Sequence, residues 1–145
     1  MAADENYSDE YLRGILRDVK TVALIGASNK EDRPSYRVMH YLQEHGYRVL
    51  PVNPGMAGQK ILGETVYAGL ADLPSPVEMV DVFRNSEAAG AVCDETITLA
   101  RSKGFQVVWM QLDVRNAEAA ARADAAGLRV VMNRCPKIEL ARLGK

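Results

Sequence analysis

The sequence predicts an α/β protein, in which helices cover both faces of a doubly wound parallel sheet of about five strands. The predicted strands are short and almost continuously apolar, as strands buried on both faces must be. Helical patterns alternate with these strands, and right-handed crossovers then place helices on both sides of the sheet. The chain has 145 residues, 48% hydrophobic and 26% charged, which fits one soluble globular domain.

Start and stop signals separate the elements of the first half of the chain. Ser8 is an N-cap candidate before apolar residues that share one helix face. Ser35 is the corresponding candidate for the second helix, and Gly46 is its C-terminal stop. The predicted elements are a helix over 8–19, a strand over 21–26, a helix over 35–45, a strand over 47–52, a short strand over 65–67 and a brief helix over 70–73.

The second half of the chain continues the alternation. An alanine-rich helix ends at Gly127, and Pro136 suits the first turn of a final helix. The predicted elements are a strand over 77–83, a helix over 86–103, a strand over 105–110, a helix over 115–127, a strand over 128–132 and a short helix from 136. No repeat or linker interrupts this order, so we expect a single domain over 1–145 with residues 1–6 frayed.

Charge and composition argue against several classes of partner. The net charge of −1 gives no bulk attraction to nucleic acid or to an anionic membrane, and no apolar run is long enough to span a bilayer. Cys93 and Cys135 form no CxxC spacing, and with two histidines in no paired motif a metal site is not expected. These features predict a cytoplasmic protein whose partner is a small molecule, and they leave the oligomeric state open.

The loop after the first strand is the first candidate for a ligand site. Ligands of such sheets bind beyond the carboxyl ends of the strands. Gly26 permits a sharp turn, and the start of the next helix favours an anion. Arg33 directly precedes that helix and offers a charge-assisted contact. A single glycine is weak evidence, however, and a plain strand–helix connection explains it about as well.

An ordinary NAD site is disfavoured. NAD recognition usually requires a carboxylate at the end of the second strand to bind the ribose hydroxyls, but Val52, Asn53 and Pro54 stand there. The loop after Gly26 also lacks the further glycines of the dinucleotide fingerprint, and no GxxxxGK[ST] motif occurs.

Several segments in a fixed order resemble the family of small, single-domain CoA-binding proteins, which is similar to the CoA-binding domain of the succinyl-CoA synthetase α subunit. The resemblance covers roughly residues 15–140. One departure is Asp113, where family members often have glycine. The segments are "GASNKEDRPSYRVMHYLQEHGYRVLPVNP", "ILGETVYAGLADLP", "VDVFRNSE" and "VVWMQLDVRNAEAAARADAAGLRVVMNRCPKIE".

The resemblance implies a Rossmann-like, nucleotide-binding fold with CoA as the ligand. The residues implied at the phosphate end are Gly26, Ala27, Ser28, Arg33, Pro34, Ser35 and Tyr36. Those implied beneath the adenosine or ribose are Val52, Asn53 and Pro54, and those bordering the site are Phe83 and Arg84. Lys60 is a candidate phosphate partner, and Gln111 a candidate for facing the pantetheine arm.

Structural interpretations compete with these roles. Asn53–Pro54 also fits a turn, Phe83 a core position and Arg84 a solvated charge. Asp81 lies inside a buried strand, which predicts a hydrogen-bonded structural carboxylate. Cys135 follows the last strand near the expected ligand side, where we expect a small buried hydrophobe.

The resulting expectation is a protein that binds CoA or a short acyl-CoA and is not catalytic on its own. No Ser–His–Asp or Cys–His arrangement is readable in the sequence. The alternatives are an NAD(P)- or other nucleotide-binding regulator, and an accessory part of an acyl-CoA enzyme.

Overall fold

A computed structural model describes residues 5–145, with a parallel sheet of five strands at its centre. The strands are β1 (Thr21–Ile25), β2 (Arg48–Val52), β3 (Lys60–Ile61), β4 (Glu64–Thr65), β5 (Met79–Val82), β6 (Val107–Met110) and β7 (Arg129–Val131), and the helices are α1 (Asp9–Asp18), α2 (Pro34–Glu44), α3 (Ser86–Lys103), α4 (Ala117–Ala125) and α5 (Pro136–Leu143). The sheet order is β2-β1-β5-β6-β7, and each neighbouring pair is parallel. The predicted α/β class with about five strands is confirmed.

The strand order reverses between β1 and β5. The chain leaves β1 toward β2 on one side and later returns to β5 on the other side. The connections therefore diverge above the carboxyl ends of β1 and β5 and open a crevice there. This crevice is where a sheet of this topology binds its ligands.

Helices pack on both faces of the sheet, as predicted. On one face α1, α2 and α5 cover buried strand residues such as Val22, Leu24 and Trp109. On the other face α3 and α4 contribute mainly small residues, including Ala89 and Ala120. Trp109 is fully buried, and its indole N–H donates to the carbonyl oxygen of Arg134 at 2.8 Å.

Two predicted helix details change in the structure. Ser35 is not the N-cap of α2, because the helix begins one residue earlier, at Pro34, with Arg33 at the cap position. Proline suits the first turn of a helix, where its missing N–H costs nothing, and it moves the start to the N-terminal side of the serine. The brief helix predicted over 70–73 is a single 3₁₀ turn, Leu70–Asp72.

A short antiparallel hairpin lies beside the edge strand β2. It consists of β3 and β4, with Lys60 opposite Thr65. The sequence predicted a strand over 65–67 but not its partner. Tyr67 lies beyond the end of β4 and forms an isolated parallel bridge with Val52. This bridge joins the segment that follows the hairpin to the main sheet.

Asp81 corrects another prediction. Its side chain is 0% exposed, and neither carboxylate oxygen has a hydrogen-bond partner among residues 5–145. In the register it lies between Leu24 on β1 and Trp109 on β6. Burial raises the pKa of this carboxyl well above its ordinary value. Asp81 is therefore a buried acid without a hydrogen-bond partner among the described residues, and its burial favours the protonated form.

The predicted fraying of residues 1–6 falls mostly outside the described residues, since residues 1–4 are not described. Glu5 forms an ion pair with Arg115 at 2.8 Å, and its backbone carbonyl accepts a hydrogen bond from Arg134 at 2.6 Å. Across residues 5–145 no helix is long and apolar enough to cross a membrane.

Candidate functional site

The turn after β1 is built on close contact between Gly26 and the end of β5. Gly26 has φ of +89°, and a β-carbon placed on it would lie 2.2 Å from the carbonyl oxygen of Phe83. The Phe83 N–H donates to the carbonyl oxygen of Ile25 at 2.8 Å, which holds the two strand ends together. Only glycine combines this backbone conformation with so close an approach.

Asn53 ties the loop after β2 to the loop after β1. Its side-chain amide donates to the carbonyl oxygen of Ala27 at 2.9 Å, and its side-chain oxygen accepts from Gly55 N–H at 2.9 Å. It also caps the 3₁₀ turn Pro54–Met56, as the turn interpretation predicted. The Val52 carbonyl accepts from Gly26 N–H and Ala27 N–H at 3.1 and 3.3 Å. These contacts hold the floor of the crevice in place.

Three adjoining hollows lie in this crevice, and Phe83 lines all of them. The first has a volume of about 340 Å³ and is lined by Gly26, Ala27, Ser28, Arg33, Pro34, Ser35, Asn53 and Phe83. The second, of about 490 Å³, is lined by Ile25, Gly26, Val52, Asn53, Pro54, Gly55, Phe83 and Arg84. The third, of about 720 Å³, is lined by Pro34, Arg37, Val38, Phe83, Arg84, Asn85, Gln111, Leu112, Asp113, Val114, Cys135, Lys137 and Ile138.

The first two hollows favour an anion. Arg33 and Arg84 are exposed there, and neither side chain forms an ion pair or hydrogen bond within the part of the chain that the structure describes. The N-terminus of α2 has no side-chain cap and no acidic residue in its first turn. Two free guanidinium groups and the positive end of a helix dipole therefore lie beside the same turn.

The comparisons with known proteins bear on what such a crevice holds. A family model for a CoA binding domain matches residues 20–141. The chain belongs to the CoA binding domain family. Among its family relatives, the uncharacterized protein YneT of Bacillus subtilis (strain 168) is 31% identical over 134 residues, which make up 92% of this chain and 95% of YneT.

Two further similarities agree with this family. A solved structure described as a hypothetical protein from Pyrococcus horikoshii OT3 is 41% identical, with a TM-score of 0.87 over 96% of this chain and 94% of that one. The ADP-forming acetate–CoA ligase II of Archaeoglobus fulgidus is 36% identical over 69 residues, 44% of this chain but 10% of the ligase. The chain is thus related to the CoA-binding part of acyl-CoA ligases.

The site residues that the family resemblance implied lie together, with two exceptions. All but Tyr36 and Lys60 line one of the three hollows. Tyr36 lines a separate hollow of about 280 Å³ along α2, together with His40, Tyr41 and other residues. Lys60 is an exposed residue of the β3–β4 hairpin and lines none of these hollows. Phe83, which also fitted a core position, is half-buried and packs partly against the core.

The loop after β6 explains how this family member accommodates Asp113. Asp113 has φ of +67°, a left-handed conformation that glycine adopts without strain and that aspartate tolerates better than most residues. Its N–H donates to the side-chain oxygen of Asn133 at 2.8 Å, and its carbonyl accepts from the Ser86 hydroxyl at 3.4 Å. Asp113 therefore holds the turn in a backbone conformation that glycine also adopts.

Several lining residues of the third hollow were not predicted. Arg37 and Val38 come from α2, Leu112 and Val114 from the loop after β6, and Ile138 from the first turn of α5. Their local sequence patterns are typical of an ordinary helix and loop, and only the folded structure brings these residues together. Cys135, which the sequence placed near the ligand side, lines the same hollow and is 5% exposed.

Gln111 contributes a buried polar group to the wall of this hollow. Its side chain is 6% exposed, and its Oε1 accepts no hydrogen bond from any described residue. A buried acceptor without a donor is destabilising by roughly 1–3 kcal/mol. A ligand that brought an N–H group to this wall would remove that cost.

Proposed function

We propose that this protein binds CoA or a short acyl-CoA and catalyses no reaction of its own. The observation that carries the proposal is the row of hollows joined by Phe83, with free arginines at one end and apolar walls at the other. CoA is a long ligand of the same character, since its nucleotide end carries the phosphate charges and its other end is a pantetheine arm with a thiol.

The phosphate groups of the nucleotide would lie at the turn after β1. The proposed contacts there come from Gly26, Ala27, Ser28, Arg33, Pro34, Ser35 and Tyr36. Arg33 and Arg84 would each donate charge-assisted hydrogen bonds to phosphate oxygens. Tyr36 and Lys60 would reach the ligand only from outside the hollows, so we give them a peripheral role.

The adenosine and the pantetheine arm would occupy the remaining space. Val52, Asn53 and Pro54 border the second hollow, where the adenosine would lie. Asn53 would act by holding the loops, because its side chain is engaged with Ala27 and Gly55. The pantetheine arm carries two amide N–H groups, and Gln111 Oε1 is a buried, unpaired acceptor that could receive one of them.

A binding role without catalysis is supported by the chemistry of the lining. The three hollows include one thiol, Cys135, and no histidine, so their walls hold no Cys–His pair. Both cysteines are free, which supports a cytoplasmic location as part of the proposal. The similarity to a region of an ADP-forming acetate–CoA ligase supports a relationship with the CoA-binding parts of acyl-CoA ligases. We extend this relationship to succinyl-CoA synthetase as part of the proposal.

Native mass spectrometry of the protein purified without added ligand tests the proposal. The expected result is a complex whose extra mass equals CoA or an acyl-CoA, or, for a protein isolated empty, one equivalent of CoA retained after incubation. A variant with both Arg33 and Arg84 changed to alanine should lose that mass while remaining folded. A folded protein that retains a different nucleotide and not CoA would contradict the proposal.

A further inference from the structure

The third hollow has an apolar rim that CoA itself does not explain. Among the large hydrophobic side chains of residues 5–145, those that are exposed are Leu112, at 48%, and Ile138, at 49%. Both line this hollow, although they lie on different elements, Leu112 in the loop after β6 and Ile138 on α5. Exposed apolar residues gathered at one concave site indicate a binding surface.

The floor of the hollow is apolar as well. Val38, Val114 and Cys135 are 3%, 7% and 5% exposed and lie beneath the rim. The volume of about 720 Å³ falls within the range of small-molecule sites, roughly 300–1,000 Å³. The methylene and methyl groups of a pantetheine arm can cover part of these walls, and an aliphatic group beyond its thiol would cover more of them.

We propose that this hollow holds the aliphatic acyl group of an acyl-CoA, so that the preferred ligand is a medium-chain thioester and not free CoA. The inference rests on the proposed function. Continuity supports it, because Phe83 and Arg84 border both this hollow and the one assigned to the nucleotide, so one extended ligand can occupy both. Gln111 stands in the same wall, where it would meet the amide next to the thioester.

The charged side chains that line this hollow are those of Arg37, Arg84, Lys137 and Asp113, so an acyl group that ends in a carboxylate belongs in the test. The Arg37 guanidinium donates to the backbone carbonyl of Asp32, and Lys137 lies 5.7 Å from the centre of the Tyr41 ring, so part of the binding capacity of both cations is already used. Arg84 is already assigned to phosphate. Asp113, on the same wall, would repel a second carboxylate.

Titration calorimetry with a series of ligands tests the inference. The probes are CoA, acetyl-, butyryl-, hexanoyl- and succinyl-CoA, and hexanoate alone. A fully buried methylene strengthens binding about fourfold, which corresponds to ~0.8 kcal/mol. In this open hollow we expect hexanoyl-CoA to bind at least about tenfold more tightly than acetyl-CoA, and butyryl-CoA more tightly than succinyl-CoA, which has the same chain length. Hexanoate alone should not bind measurably, because it lacks the nucleotide.

A double variant, Leu112→Ser with Ile138→Ser, should lower the ratio of hexanoyl-CoA to CoA affinity by about fivefold or more. Leu143→Ser is a control on α5 outside the hollow and should leave the ratio unchanged. Because Leu143 packs partly against the core, thermal denaturation checks that this control remains folded. Equal affinity for CoA and hexanoyl-CoA, tighter binding of succinyl- than butyryl-CoA, or a double variant that changes only the oligomeric state would overturn the acyl inference. Failure of CoA and all its thioesters to bind would instead overturn the proposed function.

Discussion

A β-carbon on Gly26 would lie 2.2 Å from the carbonyl oxygen of Phe83, so the turn after β1 and the end of β5 leave no room for a side chain between them. This contact closes the floor of the crevice at the point where the strand order reverses. Phe83 in turn lines all three hollows. The shape of the whole candidate site therefore depends on one residue without a side chain.

We expect Gly26→Ala to lower the free energy of unfolding by at least about 2 kcal/mol, because alanine adds a clash to the cost of a positive φ. Urea denaturation measures this change. Gly63→Ala is the matched control, since Gly63 has φ of +85° but nothing within 4 Å of an added β-carbon. The free energy of unfolding of this control variant should fall by only about 1 kcal/mol. Equal losses for the two variants would show that the contact with Phe83 is unimportant.

The left-handed conformation of Asp113 gives a second stability prediction. Asp113→Gly should keep or raise the free energy of unfolding, by up to about 1 kcal/mol, because glycine adopts φ of +67° without strain. Asp113→Ala should lower it by about 1 kcal/mol, since alanine has neither that freedom nor a polar side chain suited to the turn. Thermal and urea denaturation of both variants check the expected order of stability, in which the alanine variant is the least stable. If alanine were as stable as glycine here, the turn would not have the conformation described.

The strands and most helices were predictable because their signals are local. The apolar runs of β1, β5 and β6 and the N-cap at Ser8 need no knowledge of the rest of the chain. The hairpin partner Lys60–Ile61 escaped prediction because two residues are too short to show a period. Ser35 was misread because serine before an apolar stretch signals an N-cap, whereas Pro34 determines where α2 begins.

The candidate site was predictable only in part, because some of its residues carry local signals and others meet only in the folded chain. Gly26 and Arg84 lie next to strand ends, which the topology brings to one edge, and Arg33 precedes the helix that follows β1. Leu112 and Ile138 lie 26 positions apart (138 − 112) in unremarkable local patterns, and only tertiary folding joins them in one hollow. The missing partner of Asp81 could not be foreseen either, because the sequence does not show which polar groups reach its carboxyl.

The buried acid makes stability dependent on pH. Burial disfavours the carboxylate of Asp81 and raises the pKa of this group in the folded chain well above the ordinary value of 3.8. The folded state then binds more protons than the unfolded state. The contribution of Asp81 to the free energy of unfolding is therefore complete below the ordinary pKa and declines as pH rises above it. The decline is about 1.4 kcal/mol per pH unit until the pH reaches the raised pKa.

Asp81→Asn cannot ionise, so its stability relative to the unchanged protein should increase as pH rises. Urea denaturation from about pH 5 to about pH 8 measures this difference, since other titrating groups contribute equally to both proteins. Parallel stability curves would mean that Asp81 is ionised or paired in the folded protein.

The arginines beside the turn should determine affinity but not stability. Arg33→Ala and Arg84→Ala should each weaken CoA binding by about 1.5–3 kcal/mol, the contribution of a hydrogen bond to a charged group. Arg101→Ala is the matched control, because it removes the same charge from an exposed position at the far end of α3. Dephospho-CoA, which lacks the 3′-phosphate, shows which arginine binds that phosphate. Replacing that arginine should have little effect on the affinity for dephospho-CoA. If both variants bound CoA as the unchanged protein does, the phosphates would lie elsewhere.

Calorimetric titration of the ligand-free protein with CoA and, separately, with NAD tests the central claim most directly. We expect a dissociation constant for CoA in the micromolar range, about −8 kcal/mol. NAD should bind at least about tenfold more weakly, a difference of ~1.4 kcal/mol, because Val52, Asn53 and Pro54 offer no carboxylate to its ribose. A folded protein that gives no heat with CoA, or that binds NAD as tightly as CoA, would contradict the account.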